Sequence, residues 1–197
     1  MSFEVNPATS GADRDWTSVP IDEFLRYLAA EEHAWFRNEL SQITQLLKIA
    51  REQDASISAS VARIAEVFAQ LAHDLDIHMF HEEAELFPEI HRYSIAFNAG
   101  TAIKGSPLSG FGGPLRLMEH EHETVGSALR LMRDFGQNYV APEGCCSEYA
   151  ELLRHLAEFE DRLLRHIYLE NNVLFPRAAA LKADSATRKV LQTKTRR

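Results

Sequence analysis

With 197 residues and 45% apolar composition, the chain is sized for one domain with a single core. A net charge of −8 argues against non-specific binding to nucleic acid or to an anionic membrane, because phosphate contacts need clustered Lys and Arg. No run approaches the roughly 18 apolar residues of a membrane span, and Met1 to Trp16 lacks the apolar core of a signal peptide, so a cytoplasmic location is expected.

β-strand signals are nearly absent, while apolar residues recur at helical spacing in four long stretches. The first predicted helix follows Pro20 and Asp22 and runs to about Arg51, with Phe24, Leu28, Phe36, Leu40, Ile43 and Leu47 on its inner side. The second runs from about Ser58 to Tyr93, and Pro88 is expected to bend it by removing one hydrogen bond. A Gly-, Ser- and Pro-rich linker spans Asn98 to Pro114. The third helix continues from Pro114 to about Gln137. A loop, Tyr139 to Ser147, then leads to a fourth helix over about Glu148 to Lys182. The expected fold is an all-α, up-down-up-down four-helix bundle over residues 20–183, with an extension at 1–19 and a tail at 184–197 whose basic end, Arg188 to Arg197, is read as frayed. Cys145 and Cys146 are adjacent, which disfavours a bond between them, and they are read as two reduced loop thiols.

An H-x-x-x-E-x-x-x-L-F-P string occurs twice. His78 and Glu82 lead to Leu86-Phe87-Pro88, and 88 residues later His166 and Glu170 lead to Leu174-Phe175-Pro176. A lone histidine precedes each string, His33 by 45 residues and His122 by 44, so the chain carries an internal two-helix repeat. Residues four apart project from one helix face, so each HxxxE offers an imidazole and a carboxylate to the same point. In an up-down bundle the early part of helices one and three lies beside the late part of two and four, and all four histidines fall into one layer.

These pairs interrupt apolar stripes. Leu71, Leu75, His78, Glu82 and Leu86 form one, and Phe159, Leu163, His166, Glu170 and Leu174 another. Leu115, Met118, His122, Val125 and Leu129, and Ala29, His33, Phe36 and Leu40, repeat the pattern. Burying such groups alone would cost several kcal/mol, so His33, His78, Glu82, His122, His166 and Glu170 are expected to bind metal. Imidazoles mixed with two bridging carboxylates favour two Fe ions, oxo- or hydroxo-bridged, with an open position for a small ligand.

The other histidines fit the stripes less well. His73, His91 and His120 are expected on solvated faces, His81 at the edge of its stripe, and His155 as a hydrogen-bonded core histidine about 16 Å along the helix from His166. Glu85 and Glu119 lie within about 60° of the ligand rows and are read by default as solvated, with orienting an imidazole or lining an entrance as the alternative.

From Asp15-Trp16 through Ala180 the chain resembles the hemerythrin-like HHE cation-binding proteins, and among them the repair-of-iron-centres (iron-sulphur cluster repair) family. The resemblance is most specific at His166-Ile-Tyr-Leu-Glu170-Asn171-Asn172-Val-Leu-Phe-Pro-Arg177, with Met118-Glu-His-Glu-His122-Glu and His78-Met-Phe-His-Glu82-Glu beside it. It implies the same six metal residues. It also implies a part in nitrosative and oxidative stress, with nitric oxide or dioxygen as ligand and damaged iron-sulphur proteins as partners. An oxygen-binding storage or sensing module is the alternative. Oxygen-carrying hemerythrins have a second histidine one turn along the third helix, where this chain has Gly126. Some relatives have a histidine at the end of the first helix, where Asp54 stands here, 21 residues beyond His33 and about 31 Å away on a continuous helix.

Overall fold

Apolar steps of three and four residues set the packing of the two longest rods. Val61, Ile64, Phe68, Leu71 and Leu75 lead to His78, Glu82 and Leu86. Tyr149, Leu152, Leu156, Phe159 and Leu163 lead in the same steps to His166, Glu170 and Leu174, and all sixteen are buried. Such a stripe stays on one helix face and drives helix-on-helix packing. The structure, a computed structural model, describes residues 14–53, 57–103 and 112–194. Asp54, most of the linker and the extreme termini lie outside the described residues.

The described residues are helical apart from turns and short connections, and contain no strand. Helix α1 comprises Ile21–Tyr27, Leu28–His33 and Ala34–Gln53, and α2 comprises Ser58–His81, Glu82–Leu86 and Phe87–Asn98. Helix α3 is Gly112–Phe135, and α4 comprises Ser147–Leu169, Glu170–Leu174 and Phe175–Lys194. Cross-helix pairs run in opposite directions along neighbouring rods. Glu32 meets Arg162 while Glu39 meets His155, and His122 meets Asn171 while Arg133 meets Glu160. Neighbours are therefore antiparallel, as an up-down-up-down bundle requires. No helix among the described residues is long and apolar enough to cross a membrane.

Three segments depart from the expected regular helix. Leu28–His33, Glu82–Leu86 and Glu170–Leu174 are π-helical turns, a rare form that widens the helix by one residue and is frequent at functional sites. The first has a plain geometric effect. Leu28 and His33 are five apart, about 140° out of phase on an α-helix, yet both are fully buried on the inner face. The other two precede Pro88 and Pro176. A proline ring would clash with the carbonyl one turn back, and the wide turn, in which the Phe87 and Phe175 N–H groups reach Glu82 O and Glu170 O, relieves that crowding without ending the helix.

Two apolar clusters fill the bundle. One holds Phe36, Phe68 and Phe159 with Leu75, Val125 and Leu163, its rings meeting edge to face at 5.9 Å. The other holds Trp16, Phe24, Leu28, Leu86, Met118 and Leu174. The polar repeat lies between them, so its residues are sealed from water on both sides.

Both ends of the bundle extend past the expected boundaries. Trp16 is buried against Phe24 and Tyr27, and Arg177 donates to the carbonyls of Trp16 and Val19, so the extension packs as part of the bundle from Trp16 onward. Helix α4 runs to Lys194, beyond the end expected near Lys182. Its buried Ser185 accepts from the Ile103 N–H at 3.1 Å, which ties the segment after α2 to it. Helix α2 continues to Asn98 and ends at Gly100 (φ 66°), whose left-handed backbone lets the Thr101 N–H reach the Ala96 carbonyl. Cys145 and Cys146 are free and half-buried, and they lie in the loop before α4.

Candidate metal centre

All six predicted residues meet in the layer between the two apolar clusters. His33, Glu82, His166 and Glu170 form one group whose ligand atoms lie within 4.8 Å of each other, and His78, His122 and Glu170 form a second. Glu82 Oε2 lies 3.3 Å from His33 Nε2 and 3.5 Å from His78 Nε2. Glu170 divides its oxygens, with Oε1 3.1 Å from His166 Nε2 and Oε2 3.2 Å from His122 Nε2. The Nε2 atoms of His78 and His122 lie 3.3 Å apart. Each carboxylate thus reaches one imidazole from each of two groups.

The donor atoms fit a cation better than they fit one another. His33 Nε2, His166 Nε2 and both oxygens of Glu82 and Glu170 are buried without an aligned hydrogen bond. Leaving such groups unpaired would cost several kcal/mol, and imidazole nitrogen mixed with carboxylate is a donor set suited to first-row metals such as iron.

The geometry agrees with similarity to known proteins. The hemerythrin HHE cation binding domain matches residues 25–178. The chain belongs to this family. Its hemerythrin-like sequence is 29% identical over 171 residues to the iron-sulfur cluster repair protein YtfE of Edwardsiella ictaluri, covering 87% of this chain and 72% of that protein. It is 30% identical over 167 residues to the proteins of the same name from Yersinia pseudotuberculosis and Yersinia pestis, covering 85% of this chain and 70% of theirs.

In this hemerythrin-like centre, three of the four imidazoles are fixed from behind. His33 Nδ1 lies 2.8 Å from Glu83 Oε1, which also accepts from Arg37 at 2.9 Å. His78 Nδ1 lies 2.6 Å from Glu121 Oε2, and His122 Nδ1 3.1 Å from Asn171 Oδ1. An acceptor there keeps the proton on Nδ1 and leaves the Nε2 lone pair facing inward. Glu85 and Glu119, read by default as solvated and only alternatively as orienting residues, are exposed. Angular distance along one helix selected them, whereas the acceptor comes from the neighbouring helix. A signal was present in the repeat. Glu83 and Asn171 each directly follow the glutamate of HxxxE, and each serves the lone histidine of its own half.

The remaining histidines stand largely as expected. His73, His91 and His120 are exposed, with His91 paired to Asp22, and buried His155 is hydrogen-bonded to Glu39. His81 is half-buried and makes none of the imidazole-orienting bonds.

Without metal, the carboxylates of the layer favour a proton on His78. Burial opposes a charged His78, but Glu82, Glu121 and Glu170 outweigh it and raise its pKa to about 9. Burial would likewise neutralise Glu170, but His166 and His122 hold its carboxyl well below the ordinary range. A histidine whose folded pKa is raised contributes stability that is complete below its ordinary value near 6.5 and is lost as pH climbs through the folded value. Metal-free protein is therefore expected to melt about 5 °C lower at pH 9 than at pH 6.5. Thermal melts after chelation would test this, and a flat profile across that range would contradict the assignment.

Proposed function

We propose that this chain is a non-haem di-iron protein of the nitrosative and oxidative stress response that assists repair of damaged iron-sulphur clusters. The observation that carries the reading is the buried layer in which four Nε2 atoms converge on two shared carboxylates. The names of the YtfE relatives supply the biological direction. His33 and His166 with Glu82 and Glu170 would hold one iron, and His78 and His122 with Glu170 the other, Glu82 Oε2 lying 3.3 Å from His33 Nε2 and 3.5 Å from His78 Nε2. A pair of irons held there would supply redox exchange and binding of nitric oxide or dioxygen.

The protein's own contribution is orientation and exclusion. Glu83, Glu121 and Asn171 hold three rings with their lone pairs inward, and the apolar clusters above and below keep bulk water away. A groove of about 510 Å³ between α2 and α3 is lined by Val67, Leu71, Val125 and Leu131 and reaches His78 and Glu121. Its apolar walls suit the passage of a small uncharged diatomic.

The test is metal content on anaerobically purified protein, followed by optical spectra before and after nitric oxide and, separately, dioxygen. Two irons per chain, a near-ultraviolet oxo-bridge band, an iron-nitrosyl spectrum and recovery of a nitric-oxide-damaged iron-sulphur enzyme are expected. One zinc or no metal would overturn the reading. A reversible change under dioxygen with no nitrous oxide formed would make the chain an oxygen-binding storage or sensing module.

A further inference from the structure

The internal repeat pairs positions of α1 and α2 with positions of α3 and α4, and at one pair the two halves behave differently. Glu32 directly precedes His33 as Glu121 directly precedes His122. Glu121 crosses to α2 and accepts a hydrogen bond from His78 Nδ1–H. By the same relation Glu32 would cross to α4 and hold His166. Instead Glu32, fully buried, accepts from the Tyr27 hydroxyl at 2.6 Å and from Arg162 and Arg165, each at 2.9 Å. His166 Nδ1 is buried with no hydrogen-bond partner among the described residues.

The cause is visible in the sequence once the pairing is made. Arg162 and Arg165 stand 88 residues after Asp74 and Ile77, the spacing that relates His166 to His78. On α2 those positions carry a carboxylate and an alkyl chain, neither of which can donate to Glu121. On α4 they carry two guanidinium groups that take Glu32 instead, and Arg162 is further fixed over the Trp35 ring at 4.3 Å.

We infer that this arginine pair withholds Glu32 from His166 and so makes the two metal positions unequal, the one served by His33 and His166 emptying first. The inference rests on the di-iron reading above. Both rings of the other position are anchored, His78 by Glu121 and His122 by Asn171, whereas this position has one anchored ring and one without an acceptor. An acceptor behind a ligating imidazole raises its basicity and fixes its plane, and losing one typically weakens metal binding roughly 10- to 100-fold.

The experiment is anaerobic Co(II) binding to the full chain, read by chelator competition rather than by activity, with circular dichroism to confirm folding. Wild type should show two classes of site at least about tenfold apart. Glu121→Gln should weaken the tighter class by about tenfold, bringing the two together, while Glu32→Gln should leave both affinities in place. The double change Arg162→Asp with Arg165→Ile, which copies the α2 residues, should tighten the weaker class. Equal affinities in wild type, a loss in Glu32→Gln as large as in Glu121→Gln, or weakening of the looser class by Glu121→Gln would each overturn the inference while leaving the dinuclear centre standing. If Co(II) does not bind in a pair, the di-iron reading fails and this one with it.

Discussion

Glu170→Ala is expected to reduce metal loading from two ions per chain to one at most, and to weaken the remaining ion by about a hundredfold or more. Glu170 is the one residue common to both groups of candidate ligands, with one oxygen toward His166 and the other toward His122 and His78. Its removal takes an anionic donor from each position and leaves the cationic charge of the pair under-compensated in a water-poor layer. Removing even an outer-shell partner typically costs 10- to 100-fold, so loss of a shared direct ligand sets a larger effect. His78→Ala should also lose metal, whereas His73→Ala, on the exposed face of the same helix, should bind as wild type does. Elemental analysis after desalting into metal-free buffer reads all three variants, and two ions retained by Glu170→Ala would remove that residue from the shared position.

Stripping the metal should lower the melting temperature by about 20 °C. Ions that bind only the folded chain stabilise it by about 4 kcal/mol each when present at a thousand times their dissociation constant, about 8 kcal/mol for two. A domain of this size shifts by roughly 2–4 °C per kcal/mol. The structure gives a reason for the chain to depend on the ions. Glu82 and Glu170 are fully buried with oxygens that have no aligned donor, and without metal a proton favoured on His78 offsets part of their charge. Calorimetry of chelated and iron-loaded protein at one pH measures the difference. Coincident transitions would mean that the layer is stable unaided and that the ions contribute little to folding.

Much of this arrangement could be read from single-helix periodicity. The matching steps of three and four residues in α2 and α4, interrupted at His78, Glu82, His166 and Glu170, follow from the 3.6-residue turn and select the buried faces and four of the six candidate ligands, and the shorter stripes of α1 and α3 select His33 and His122. His155 and His73 were separable on the same ground, one too far along the helix and the other on the wrong side of it. The antiparallel four-helix arrangement follows from four amphipathic stretches joined in series.

Other features depend on relations between helices or on local departures from ideal geometry. Periodicity measured on an ideal helix does not foresee a π turn, which adds a residue and rotates everything after it. The Leu28-to-His33 step joins the inner face only because of such a turn. Glu83, Glu121 and Asn171 orient imidazoles on neighbouring rods, and which side chain crosses depends on the rotation and register of two helices together, so single-helix angles could not single them out. The burial of Trp16 and the continuation of α4 past Lys182 likewise depend on surfaces supplied by distant segments, namely Arg177 and Ile103. The amino-acid sequence by itself determined the helices, their apolar faces and the repeated donor set, because each is a property of one helix. Only the tertiary structure decided how the two carboxylates are shared, which acceptors hold the rings and why Glu32 is held away from His166, because each is a competition among side chains from different helices.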